Sequence, residues 1–135
     1  MKKLLLLLAL CVSPTLAQAQ TQCLVPINGA ATPVVSGAAE GSHVLKASSG
    51  CLIAAYVTTG ASAGFLMVFN SATVPGDGAV TPIECISVPA TTTIGLNYAP
   101  QPPAWYSTGI SVAFSTTGCF TKTISNTAFF HGLVQ

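Results

Sequence analysis

Ile110, Val112 and Phe114 alternate with Ser111, Ala113 and Ser115. A period of two puts the apolar side chains on one face and the small ones on the other, as in a half-buried strand. Thr116-Thr117-Gly118 breaks the run, and Gly118 is expected to supply a positive φ for a tight turn. Cys119–Ile124 resumes with β-branched and aromatic residues, Ser125-Asn126 turns again, and Ala128–Val134 is a last apolar run. The stretch from Ser107 to Gly132 therefore predicts a hairpin followed by a third strand.

The same reading extends upstream. Cys51–Thr58 and Phe65–Phe69 are apolar on both faces and predict central strands. Thr91–Tyr98 alternates, with Ile94, Leu96 and Tyr98 on one side. Thr81–Val88 holds Pro82 at its start and is closed by Pro89, which suits a sheet edge. His43–Ala47 predicts a further strand, and Leu24 or Val34-Val35 a short one. Pro75-Gly76-Asp77-Gly78 is a turn, and Pro100, Pro102 and Pro103 stiffen a loop that leads into Trp105-Tyr106. This makes about seven or eight short strands with turns every eight to twelve residues. The pattern predicts an all-β fold, an antiparallel β-sandwich that includes the jelly-roll form, with a barrel as the alternative.

The chain start follows a different pattern. Met1-Lys2-Lys3 is basic, Leu4–Val12 is apolar, Ser13-Pro14 breaks the run, and Ala17-Gln18-Ala19 places small residues before a cleavage point. Residues 1–19 predict a secretory signal peptide, shorter than the about 20 apolar residues of a membrane span. Leu10 stands where a lipoprotein signal before Cys11 wants a small residue. Removing nineteen of 135 residues leaves 116, enough for one domain with a core. The expected organisation is an extended lead-in over residues 20–42 and a sandwich over 43–135. The expected location is the periplasm or the exterior, with no membrane span after cleavage.

Charge narrows the partners. After cleavage the ionised groups are Lys46 and Lys122 against Glu40, Asp77 and Glu84, a formal net charge of −1 with no Arg. Phosphate-backbone binding needs clustered Lys and Arg, so nucleic acid is excluded as a partner, and anionic lipid for the same reason. Ser, Thr, Gly, Asn and Gln must cover the outside, a surface that repels its neighbours weakly. Self-association or contact with another protein is the expected behaviour.

Four cysteines remain in an oxidising compartment: Cys23, Cys51, Cys85 and Cys119. Four allow three pairings. The pairing expected is Cys23–Cys51, tying the N-terminal segment to a strand, with Cys85–Cys119, linking the middle of the domain to the turn after Phe114. No C-x-x-C knuckle and no His at ligand spacing from a Cys exist, so no metal or other cofactor is expected. Catalytic candidates are equally sparse. His43, His131 and Asp77 do not accompany a G-x-S-x-G elbow, and Glu40, Asp77 and Glu84 are the only carboxylates for a hydrolase. No catalytic residue is expected. Tyr98, Trp105 and Tyr106 flank the proline-rich loop and form the candidate binding rim, able to stack on a glycan or a partner; the competing reading has them capping the core against Pro102 and Pro103.

A family likeness rests on particular residues. Val44–Ala47, Gly64–Phe69 with the Pro75–Gly78 turn, Val80-Thr81-Pro82, Cys85 with Val88-Pro89, the block Phe114–Thr123 and Ala128-Phe129-Phe130 resemble a small β-rich domain of uncharacterised bacteriophage and prophage proteins of alphaproteobacteria. The resemblance covers Val44 to the C-terminus, and STTGCFTKT is its most specific part. It implies a β-sandwich and a virion-associated or surface role, and it assigns no activity and no site residues. The signal sequence departs from a virion component assembled in the cytoplasm and favours an exported protein. The leading expectation is an exported, non-enzymatic structural or interaction module. A carbohydrate- or surface-binding module using the aromatic rim is the first alternative, and a hydrolase the second.

Overall fold

The computed structural model describes Cys23 and residues 31–135. The signal peptide, the Leu24 strand and most of the expected lead-in lie outside the described residues. Eleven strands and no helix are found among those described: β1 Thr32–Val35, β2 Ser42–Lys46, β3 Gly50–Thr59, β4 Gly64–Asn70, β5 Gly78–Ala79, β6 Glu84–Val88, β7 Thr93–Asn97, β8 Ala104–Tyr106, β9 Ile110–Ser115, β10 Thr121–Lys122 and β11 Ala128–Val134.

They form two antiparallel sheets and a small flap. Sheet A runs β1-β11-β3-β7, with β8 also on β3; sheet B runs β2-β9-β4-β6; β5 and β10 pair as the flap. β7 pairs with Ala54–Thr58 of β3 and β8 with Gly50–Leu52, so the two share one flank of the same long strand. The count exceeds the seven or eight expected because that flank is interrupted by the proline-rich loop, and because the two flap strands are only two residues long each.

With β7 and β8 taken as one strand and the flap set aside, the chain behaves as a long hairpin. β1 pairs with β11, β2 with β9, β3 with β7 and β8, and β4 with β6. Rolling it brings β11 against β3 and β9 against β4, which completes both sheets. That wrap is the jelly-roll form of the β-sandwich. Thr32–Val35, expected within the lead-in, is thus an edge strand of sheet A among the described residues.

The core lies between the sheets. Leu52, Ala55, Val57, Phe130 and Val134 from sheet A meet Leu45, Leu66, Val68, Val112 and Phe114 from sheet B. Gly132 permits the close approach: a Cβ there would stand 2.7 Å from both Cδ atoms of Leu45 on the opposing sheet. A second cluster, Met67, Phe69 and Ala113 with Val74, Val80 and Cys85 against it, lies on the outer face of sheet B beneath the flap.

The flap revises three expectations. All six residues of β9 are buried, not only Ile110, Val112 and Phe114, because the flap and its flanking loops cover the second face. The predicted β9–β10 hairpin reduces to one bridge, Ser115–Ile124, while β10 pairs with β5. Gly118 does not take a positive φ; Gly78 does, at 118°, and so does Thr91, at 52°.

Both expected disulfides are present, Cys23–Cys51 and Cys85–Cys119. The second staples the loop after β9 to β6 and holds the flap down. Ser115 reinforces it: its Oγ donates to the Thr121 carbonyl and accepts from the Thr117 and Thr123 amides.

Lys122 is buried in the flap and its Nζ donates to Asp77 Oδ1 at 2.6 Å. That hydrogen bond, with a second from the Ile124 amide, holds the Asp77 carboxyl below its ordinary value of 3.8. A depressed carboxylate stabilises the fold above its unfolded pKa and stops doing so as pH falls through the folded one. In acid unfolding followed by fluorescence, the wild type is expected to lose stability as pH drops below about 4. Asp77→Asn has no carboxylate to titrate there, and its stability should depend less steeply on pH over the same range.

Candidate functional site

The two outer faces of the sandwich differ. The flap covers that of sheet B. On sheet A, residues that alternate with the core positions point outward and align across strands. Val35, His131, Tyr56 and Gly95 form one row; Phe129, Thr58 and Thr93 a second; Pro33, Leu133, Ala54 and Asn97 a third. None is Asp, Glu, Lys or Arg. Tyr56 and His131 stack, ring centroids 6.2 Å apart and 28° between planes, and the Thr58 and Thr93 hydroxyls meet at 2.8 Å. Val35 is 48% and Phe129 38% exposed. At one end of the face Cys51 carries the disulfide to Cys23, and both cysteines are buried.

The expected rim does not form one surface. Trp105 and Tyr106 are neighbours on β8 and point to opposite sides. Tyr106 is 1% exposed and belongs to the core, whereas Trp105 is 49% exposed on the outer face beside Cys51. Tyr98 packs against the core, and its hydroxyl donates to Glu84 Oε1 on β6 at 3.4 Å, bridging the two sheets. For these two tyrosines the core-capping reading fits, and Pro103 beside them is buried.

Tyr106 Oη is buried without a hydrogen-bond partner of good geometry, with Tyr98 and Glu84 as its polar neighbours. Burial above all, with those neighbours adding, pushes its hydroxyl far above the ordinary phenol range. Burial and then the Glu84 charge raise Tyr98 too. Both shifts favour the neutral phenol. A buried hydroxyl lacking a partner costs about 1–3 kcal/mol. Tyr106→Phe is therefore expected to leave the melting temperature unchanged or raise it by a few degrees in calorimetry; a loss of more than about 1 kcal/mol would show that the hydroxyl is satisfied.

The remaining candidates are scattered. His43 Nδ1 pairs with Glu40 Oε1 at 2.8 Å at one sheet edge, His131 lies on the outer face of sheet A, and Asp77 is engaged by Lys122. Among the described residues no group of three His, Cys, Asp or Glu could hold a metal ion, and no helix is long and apolar enough to cross a membrane.

Val35, Tyr56, Phe129 and His131 do not stand out as a group in the sequence. The usable signal is His131, a polar residue inside an apolar run, which marks the outward face and carries Phe129 with it. Two further exposed apolar residues, Ile83 at 59% and Phe120 at 75%, flank the Cys85–Cys119 disulfide on the flap side. No family model, no curated protein and no solved structure matches the chain.

Proposed function

We propose that this protein is an exported, non-enzymatic interaction module: a stapled jelly roll that works by contact through the outer face of sheet A. One observation carries the reading. That face presents Val35, His131 and Tyr56 in one row and Phe129 in the next, with no formally charged side chain, in a chain with very few charges overall. Apolar side chains gathered on one face gain free energy when a partner removes them from water. Two disulfides suit an oxidising compartment, periplasmic or extracellular. Jelly rolls recur in assemblies and in lectins, which fits the surface- or virion-associated role that the STTGCFTKT resemblance implies. The favoured partner is another copy of the chain or another protein.

Light scattering of the mature protein tests this. Self-association is expected, and Phe129→Ser should reduce it without changing thermal unfolding. A wild type that stays monomeric at every concentration removes self-association as the mode of contact.

Trp105 supports a second reading, a glycan-binding module, because its half-exposed indole lies on the same uncharged face. Specific hits on a glycan array that vanish in Trp105→Ala would favour it over protein contact.

A further inference from the structure

We infer that copies of this chain associate head to tail, the Phe120 loop of one seating on the outer face of sheet A of the next. The inference rests on the contact role proposed for that face and names its occupant.

The described residues form two different apolar surfaces, on opposite outer sides of the sandwich. One is the face of sheet A. The other is the flap tip over sheet B, where Phe120 and Ile83 stand out beside the Cys85–Cys119 disulfide. Sheet against sheet leaves both flap tips in water, and flap against flap leaves both faces. A head-to-tail contact covers one of each and repeats at the next copy.

The flap tip is built as a donor. Cys119 anchors the loop to β6, the Phe120 carbonyl accepts from the Val80 amide at 3.1 Å, and the next residue, Thr121, is already paired with Ala79. A backbone tied at three points fixes where the exposed Phe120 ring projects and leaves little chain freedom to lose on docking, which suits an anchor residue. The receiving surface is the row of Val35, His131 and Tyr56 with Phe129 beside it, away from the Cys23 disulfide. Aromatic rings there meet the incoming ring in offset or edge-on contact.

Charge permits the match. The receiving rows hold no Asp, Glu, Lys or Arg, and the flap's own charges, Lys122 and Asp77, are paired with each other. Like-charge repulsion between these two surfaces is therefore weak as an identical copy approaches. Among the described residues donor and receiver occur once each, the stoichiometry an open row or a closed ring of copies needs.

Two single variants and their mixture decide the matter. Phe120→Ser removes the donor and keeps the face; Phe129→Ser weakens the face and keeps the donor. Both sites are exposed, and thermal unfolding verifies that each variant folds. In sedimentation velocity the wild type is expected to grow past the dimer with concentration. Each variant alone should stay monomeric, and a 1:1 mixture should double the mass from one chain to two and stop there. If Phe120→Ser associates as the wild type does while Phe129→Ser does not, the face pairs with itself: head-to-tail contact is wrong and the contact role of the face stands. A variant mixture that stays monomeric also overturns the head-to-tail contact, and so does a monomeric wild type, which leaves the face to contact another protein.

Discussion

Replacing Phe130 with alanine is expected to cost about 3–5 kcal/mol of folding stability, the range for emptying a buried aromatic site. Phe130 is 1% exposed in the intersheet core. Its backbone is tied down as firmly as its ring: its amide donates to Ser36 Oγ and its carbonyl accepts from the Ser36 amide, both at 2.9 Å. These bonds extend the β1–β11 ladder, so a shift of β11 also loosens the edge strand. Against a total of about 5–15 kcal/mol for an ordinary domain, the loss is a large share of the whole. Urea unfolding measures it, and a cost below about 1.5 kcal/mol would mean that the neighbours collapse into the space.

Removing the Cys85–Cys119 disulfide as a double serine variant is the second large effect. A crosslink closing a loop of this size stabilises by roughly 2–4 kcal/mol, in the main by restricting the unfolded chain. The cysteines are 34 residues apart. A local consequence accompanies the global one. The flap covers Met67, Phe69 and Ala113, and its other ties are a two-residue ladder, the Lys122–Asp77 pair and the Ser115 hydrogen bonds. Amide exchange in β4 and β9 is expected to rise more than in β3 and β11. Equal changes in both sheets would show that the flap and the sandwich open together.

Much of the architecture is legible in residue alternation. Cys51–Thr58 and Phe65–Phe69 read as central strands, and β3 and β4 are each paired on both flanks. Thr81–Val88 reads as an edge, and among the described residues β6 pairs with β4 alone. What alternation does not encode is the partner of a short segment. Thr121-Lys122 follows β9 closely, so a hairpin is the local expectation, yet its partner is Gly78-Ala79, more than forty residues earlier. The burial of Ser111 and Ala113 is hidden for the same reason, since Thr73, Val74 and Val80 come from distant chain. The aromatic rim fails on a simpler point. Trp105 and Tyr106 look like the end of a proline-rich loop; as consecutive strand residues they must face opposite ways. The contact face lies in plain alternation with the core, but Ala128–Val134 reads as uniformly apolar until His131 is taken as the marker of its other side.

The rolled hairpin also bears on how the chain acquires its shape. Gly64 pairs with Val88, Ala54 with Asn97, Ser42 with Ala113 and Thr32 with Val134, each pair enclosing the one before. Closing the innermost loop first makes every later closure a modest increment, because loop entropy grows only with the logarithm of length. Nucleation at β4 and β6, followed by outward zipping, is the least costly route, and the predominance of distant partners places the domain among folders on the millisecond-to-second scale. Conservative substitutions at Leu66 or Val88 should therefore slow refolding, while those at Val34 or Val134 should chiefly hasten unfolding.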